Sequence, residues 1–153
     1  MSRKSPGRLK LPDINLWLAA TIGSHVHHDA AKAWLESQSE PKSIALCRVT
    51  QQGWLRLLTQ ESLMEGHGLK VLTNKEAWAL WTKLAADERM VFLAEPEGIE
   101  RRWQAYAAQP SAFPKLWTDA YLAAFAVAAG CELVTLDRGF GKFAGLRVEL
   151  LAV

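Results

Sequence analysis

Three aspartates, Asp13, Asp119 and Asp137, stand where the chain is set to change direction. Asp13 follows the short run Leu9-Lys10-Leu11-Pro12, Asp137 ends the strand-forming run Val134-Thr135-Leu136, and Asp119 heads the apolar stretch TDAYLAAFAVAAG. Each alone has a plain explanation, because Asp is a common turn former and is favoured at the positive end of a helix. Brought within several Å of one another, three carboxylates would repel, and the cluster would have to take up protons or recruit a cation. An all-oxygen set with open positions suits Mg²⁺ or Mn²⁺. Neutral polar residues accompany the acids: Asn15 two residues beyond Asp13, Thr118 beside Asp119, and Thr135 on the same strand face as Asp137. Such a set would hold a divalent metal through few protein ligands, with waters and substrate in the remaining positions.

Such a cluster exists only if the intervening elements fold the acids back together. Residues 8–12 read as a strand, and residues 28–37 as a helix with Ala31, Trp34 and Leu35 on one face. Residues 44–47 form a second strand. Thr50 is placed to cap a helix that buries Trp54, Leu55, Leu57 and Leu58. Residues 66–68 make a loop, and Asn74 is placed to cap a helix carrying Ala77, Leu80, Trp81 and Leu84. Residues 90–93 are a continuous apolar run, as expected of a buried strand. Pro96 opens a helix with Ile99, Trp103 and Tyr106 inward. Thr118 opens another, ended by Gly130, and strands follow at 133–136 and 148–153. Alternation of this kind predicts a three-layer α/β/α fold on a mostly parallel sheet of four to five strands. Ligands bind at the carboxyl ends of strands in such sheets. Asp13 and Asp137 are then at one end of the domain, and the helix from Asp119 returns through the next strand to the same end.

Composition narrows the field. A chain of 153 residues, half of them apolar, fits one domain, expected over residues 8–153 behind a basic, disordered lead at 1–7. The net charge of +2 advertises no broad nucleic-acid surface, although Lys4, Arg8, Lys10, Arg48 and Arg138 are candidate phosphate contacts. Cys47 and Cys131 read as buried thiols of a reducing compartment. His25, His27 and His28 read as surface or capping residues rather than ligands. Seven tryptophans invite base stacking, but the helical spacing of Trp34, Trp78, Trp81 and Trp103 points to core or partner interface. No apolar run nears the roughly 20 residues of a membrane span, and no secretory leader is evident, so a cytoplasmic protein without membrane contact is expected.

Three stretches in order, PDIN at 12–15, WTDAYLAAFA at 117–126 and TLDRGF at 135–140, resemble the PIN-domain ribonucleases, and in particular the toxins of VapBC-type toxin–antitoxin systems. Residues 25–34 and 49–59 are similar to stretches of that group, so the resemblance covers nearly the whole chain. It implies a PIN-like fold and a Mg²⁺- or Mn²⁺-dependent endoribonuclease in which Asp13, Asp119 and Asp137 are both the catalytic and the metal-binding acids. It implies further an RNA substrate (tRNA and rRNA are the candidate classes), a VapB-type antitoxin wrapped into a hydrophobic groove, and a homodimer. The family's fourth acid, a Glu early in the second helix, falls on Gly53 here. Gln51, Gln52 or a water would have to stand in for it. The alternative is therefore a PIN-fold RNA-binding or regulatory module with weakened catalysis. A phosphatase of the haloacid dehalogenase type needs a second Asp where Asn15 stands, and a phospho-receiver needs paired acids at the first strand; both rank low.

Overall fold

The computed structural model describes residues 8–151, so the basic lead at 1–7 and the last two positions of the expected final strand lie outside the described residues. The described elements are β1 (Lys10–Pro12), α1 (Ile14–Thr21), α2 (His28–Ser37), β2 (Ile44–Leu46), α3 (Arg48–Leu58), α4 (Glu61–Gly66), α5 (Asn74–Ala85), β3 (Met90–Phe92), α6 (Ile99–Ala107), α7 (Leu116–Ala129), β4 (Glu132–Thr135) and β5 (Val148–Leu150), with a 3₁₀ turn over Arg138–Lys142.

All five strands are parallel, in the spatial order β3-β2-β1-β4-β5. The alternation of side chains along each strand divides the core into two halves. Leu11 of β1, Ala45 of β2 and Leu133 of β4 pack on one face with Leu116, Ala120, Ala123 and Phe125 of α7. Ile44 and Leu46 of β2 and Val134 of β4 point the other way, against Leu16 and Trp17 of α1, Trp34 of α2, Trp54 of α3 and Trp81 of α5. This is the three-layer α/β/α arrangement. The connections step outward from β1 through β2 to β3, then jump back across the sheet to β4. The strand order thus reverses between β1 and β4, and a crevice opens there at the carboxyl ends.

Several element starts differ from the sequence expectation, each for a local reason. The cap of α5 is Thr73, one residue before Asn74, because Thr73 Oγ1 accepts from Glu76 N while Glu76 Oε1 accepts from Thr73 N. Helix α3 starts after Cys47, and Thr50 serves it from the third position, its Oγ1 accepting from Cys47 N at 3.3 Å. Helix α6 begins after Gly98, whose φ of 75° needs a glycine, rather than at Pro96. Helix α7 begins at Leu116, before Thr118. Helix α4 was not expected at all; at six residues it is too short to display a helical period. No described helix is long and apolar enough to cross a membrane.

Candidate active site

Register brings the first two acids together. Pro12 of β1 pairs with Val134 of β4, and Asp13 N donates to Val134 O at 3.0 Å. Asp13 is therefore beside Thr135. Thr135 is fully buried, and its Oγ1 donates to Asp13 Oδ2 at 2.5 Å while accepting from Asp137 N at 2.9 Å. One hydroxyl thus ties the first strand-end acid to the backbone of the other. The remaining oxygen of Asp13 caps α1, Oδ1 accepting from Leu16 N at 2.8 Å. Asp137 caps the 3₁₀ turn in the same way, Oδ1 accepting from Gly139 N at 2.8 Å. A β-carbon at Gly139 would stand 3.1 Å from that oxygen, so glycine lets the carboxylate fold over its own turn. Asp119 lies in the first turn of α7 and is half-buried, whereas Asp137 is exposed.

The electrostatics follow from burial. Asp13 is 3% exposed, and burial pushes its carboxyl from 3.8 up to about 6; the hydrogen bonds from Thr135 and Leu16 oppose the rise, and the charges of Asp119 and Asp137 add to it. Asp119 is raised by burial and by Asp137, while Lys142 and Lys115 pull it back. The three acids therefore share one electrostatic neighbourhood at the reversal point of the sheet. Among the described residues no group of three or more His, Cys, Asp or Glu side chains is placed to hold a metal ion between them, so a cation here would have fewer protein ligands and more water or substrate. The donor set fits a hard cation bound openly: every donor is a carboxylate oxygen, the buried one is under electrostatic stress that a cation relieves, and solvent or substrate can reach the exposed edge at Asp137.

The other candidates are dispersed around this centre. Asn15 is exposed on the first turn of α1, and Thr118 is exposed beside Asp119. Gln51 is buried, and its Oε1 accepts from Arg48 Nη1 at 2.5 Å; Gln52 faces solvent. Arg48 lies over the Phe92 ring at 4.7 Å. Gly53 is closed off: a β-carbon there would stand 2.4 Å from Ile14 Cδ1. Ile14 of α1 fills the space that a side chain at that position would need. Lys10 cannot serve a phosphate at this edge, since it sits at the amino end of β1, bonded to Glu132 at 2.5 Å and Glu149 at 3.1 Å. Trp78, expected in the core or at a partner interface, is 56% exposed and so is not part of the core. His27 caps α2 by position, and His28 Nδ1 lies 2.8 Å from Ala19 O. His67, not singled out from sequence, stacks on His25 with ring centres 5.5 Å apart. Lys142 and Lys115 were also missed, since a lysine in a turn carries no distinctive pattern.

The chain resembles known proteins in sequence and in fold. The chain is 48% identical over 143 residues to Ribonuclease VapC41 of Mycobacterium tuberculosis, which covers 93% of this chain and 98% of the relative. It is 30% identical over 135 residues to Ribonuclease VapC44 of the same organism, covering 84% and 85%. In structure it superposes on VapBC2 from Rickettsia felis, solved bound to a promoter DNA fragment, with a TM-score of 0.64 at 14% identity, covering 94% of this chain and 99% of that one. Residues 10–146 match the PIN domain, a span that includes Asp13, Asp119 and Asp137, and the chain therefore belongs to the PIN-domain family.

Proposed function

We propose that the protein is a VapC-type toxin, an endoribonuclease that hydrolyses RNA phosphodiester bonds with a divalent metal ion. Its closest support is the likeness to ribonucleases just described, together with one structural observation: Thr135 locks Asp13 to the backbone of Asp137 at the carboxyl ends of β1 and β4, with Asp119 electrostatically coupled to both. Mg²⁺ or Mn²⁺ is the proposed ion; bound there, it would lower the pKa of water and offset charge on phosphorus. Asp13 and Asp137 would hold it through lone pairs not used by Leu16, Thr135 and Gly139. Asp119, already raised toward proton uptake by burial and Asp137, would orient the attacking water and accept its proton. Lys142 and Lys115, whose charges reach Asp119, would draw the scissile phosphate to the acid edge. An accessible single-stranded or loop backbone suits an edge of this kind better than a duplex.

The partner we propose is a VapB-type antitoxin. A groove of about 450 Å³ runs between α1, α2, α3 and α5, lined by Trp17, Leu35, Trp54, Leu80 and Leu84 among others. Trp17, one of the lining residues, is buried, and its Nε1 has no hydrogen-bond partner among the described residues. A homodimer completes the proposed assembly.

The test is cleavage of total RNA by the purified protein with Mg²⁺, with chelator, and as Asp13→Ala and Asp137→Asn. Cleavage should require the ion and fall at least about a hundredfold in each variant, as expected when charge stabilisation of the transition state is lost. Equal activity of Asp137→Asn and wild type would remove the nuclease reading and leave an RNA-binding module.

A further inference from the structure

The acid site does not account for the aromatic surface beside it. Trp117, in the first turn of α7 two residues before Asp119, is 57% exposed although Leu116 before it and residues 122–126 after it are buried. It is nonetheless held: its carbonyl accepts from Trp103 Nε1 at 2.9 Å, and the two indoles meet edge to face, 6.2 Å apart at 76°. Trp103 is braced in turn by Tyr121, with ring centres 5.5 Å apart at 87°. Trp117 stands between two clefts. One, of about 260 Å³, is shared with Phe113 and Pro114; the other, of about 520 Å³, is shared with Glu100, Trp103 and Gln104. Phe113 is 50% exposed, and Lys142 Nζ lies 5.3 Å from its ring centre. The same Lys142 acts on Asp119. The aromatic wall therefore has at its side a cation, Lys142, whose charge is also felt at Asp119.

We propose that Trp117 and Phe113 form a stacking wall for an unpaired nucleobase next to the scissile phosphate, with Lys142 holding the phosphate between them. This deepens the ribonuclease reading and rests on it. A rigid, exposed indole fits a base better than a protein side chain here for two reasons. Every nucleobase presents a flat π-face, and stacking on an aromatic tolerates any sequence. The wall also adjoins a lysine and the acid edge, so one nucleotide's phosphate and base would meet matching partners together. A base inside a duplex is already stacked and cannot use the wall, so Trp117 would act as a specificity residue for single-stranded RNA.

The test uses the full-length protein with chelator present, to prevent cleavage, and a fluorescein-labelled mixed-sequence single-stranded RNA of about twelve nucleotides as probe, sized to span a site of this kind. Anisotropy is read for wild type, Trp117→Ala, Trp117→Phe, Phe113→Ala and Trp78→Ala, with the duplex of the same sequence alongside. Trp117→Ala should weaken single-strand binding about tenfold. Trp117→Phe should recover most of the loss, Trp78→Ala should bind like wild type, and duplex affinity should not move. Circular dichroism and size exclusion are read on each variant. Unchanged single-strand affinity in Trp117→Ala overturns the proposal, and so does a loss explained by a change in oligomeric state. If wild type cleaves RNA with Mg²⁺ while Trp117→Ala cleaves and binds equally well, only the stacking wall falls. If wild type neither binds nor cleaves, the ribonuclease reading falls with it.

Discussion

Replacing Asp13 with Asn should abolish cleavage and make the metal-free protein more stable. The carboxyl of Asp13 rises from 3.8 to about 6 on folding. At about 1.36 kcal/mol per unit, holding it ionised at pH 7 costs the fold about 3 kcal/mol. Because Asp13 is nearly fully buried, solvent screening offers little discount. Asn keeps the cap, since its oxygen can still accept from Leu16 N, and Asn ranks with Asp as an N-cap. Thr135 Oγ1 would have to turn from donor to acceptor toward the new amide, which returns about 1 kcal/mol of the gain. The net expectation is about 2 kcal/mol, or about 4–8 °C in Tm for a domain of this size. The sign is set by proton binding. Between pH about 4 and 6 folded Asp13 keeps a proton that the unfolded chain has released, so wild-type stability falls as pH rises through that window. The advantage of Asn should therefore be absent below pH about 4, grow to pH about 6, and stay level above it. Urea unfolding with chelator at pH 4 and pH 7 measures this. Added Mg²⁺ should then reverse the order, because only wild type gains binding free energy, about 2.7 kcal/mol at a hundredfold excess over Kd. An Asn variant no more stable than wild type at pH 7, or one whose advantage is the same at pH 4, would refute the argument.

Three further outcomes follow from the same contacts. Thr135→Val keeps the volume but removes a hydrogen bond to a buried charge worth about 1.5–3 kcal/mol; Asp13 should rise by a further one to two units or so, and the acidic limb of the cleavage profile should move up with it, with Thr135→Ser restoring it. Gly53→Glu should not rebuild a fourth acid, because its β-carbon meets Ile14 Cδ1; it should lose about 1–3 kcal/mol in urea unfolding, and Ile14→Ala introduced with it should recover part of the loss non-additively. Lys142→Ala removes a charge that holds Asp119 down, so its carboxyl should rise; cleavage should then fall more at pH 6 than at pH 8, and equal losses at both would separate Lys142 from Asp119.

The places of the three candidate acids in the fold were readable because each stands at an element end. Strand-end carboxylates and a helix-start carboxylate follow from local pattern, and the parallel alternation of elements carries them to one edge. What was not readable depends on contacts between distant residues. Nothing in the chain near Gly53 shows that Ile14 lies 2.4 Å from where its β-carbon would be. Nor does the sequence near Lys142 reveal that its charge reaches Asp119. Trp78 and Trp81 are both tryptophans on one helix, yet only Trp81 is buried, because α5 lays a single narrow stripe against α3. The extra helix α4 was hidden by its length, and Lys10 was a plausible phosphate contact until strand direction put it at the far end of the sheet.

The ordinary explanations of the three aspartates are compatible with the proposed site rather than rivals to it. Asp13 is a helix cap, Asp137 is a turn cap, and Asp119 does sit at the positive end of a helix. Capping uses one oxygen of Asp137 and one lone pair on each oxygen of Asp13, and it fixes both side chains in place without neutralising them. A carboxylate oriented by backbone N–H donors and still negatively charged is preorganised for a cation. The stability forfeited at Asp13 supports the same view, since a position selected only for capping would hold a neutral residue such as Asn or Ser at less cost. On the proposed function, with Gly53 supplying no acid, a cation would be held by the Thr135-linked pair and Asp119, so the hydroxyl of Thr135 should matter more to cation affinity here than in a site with four acids.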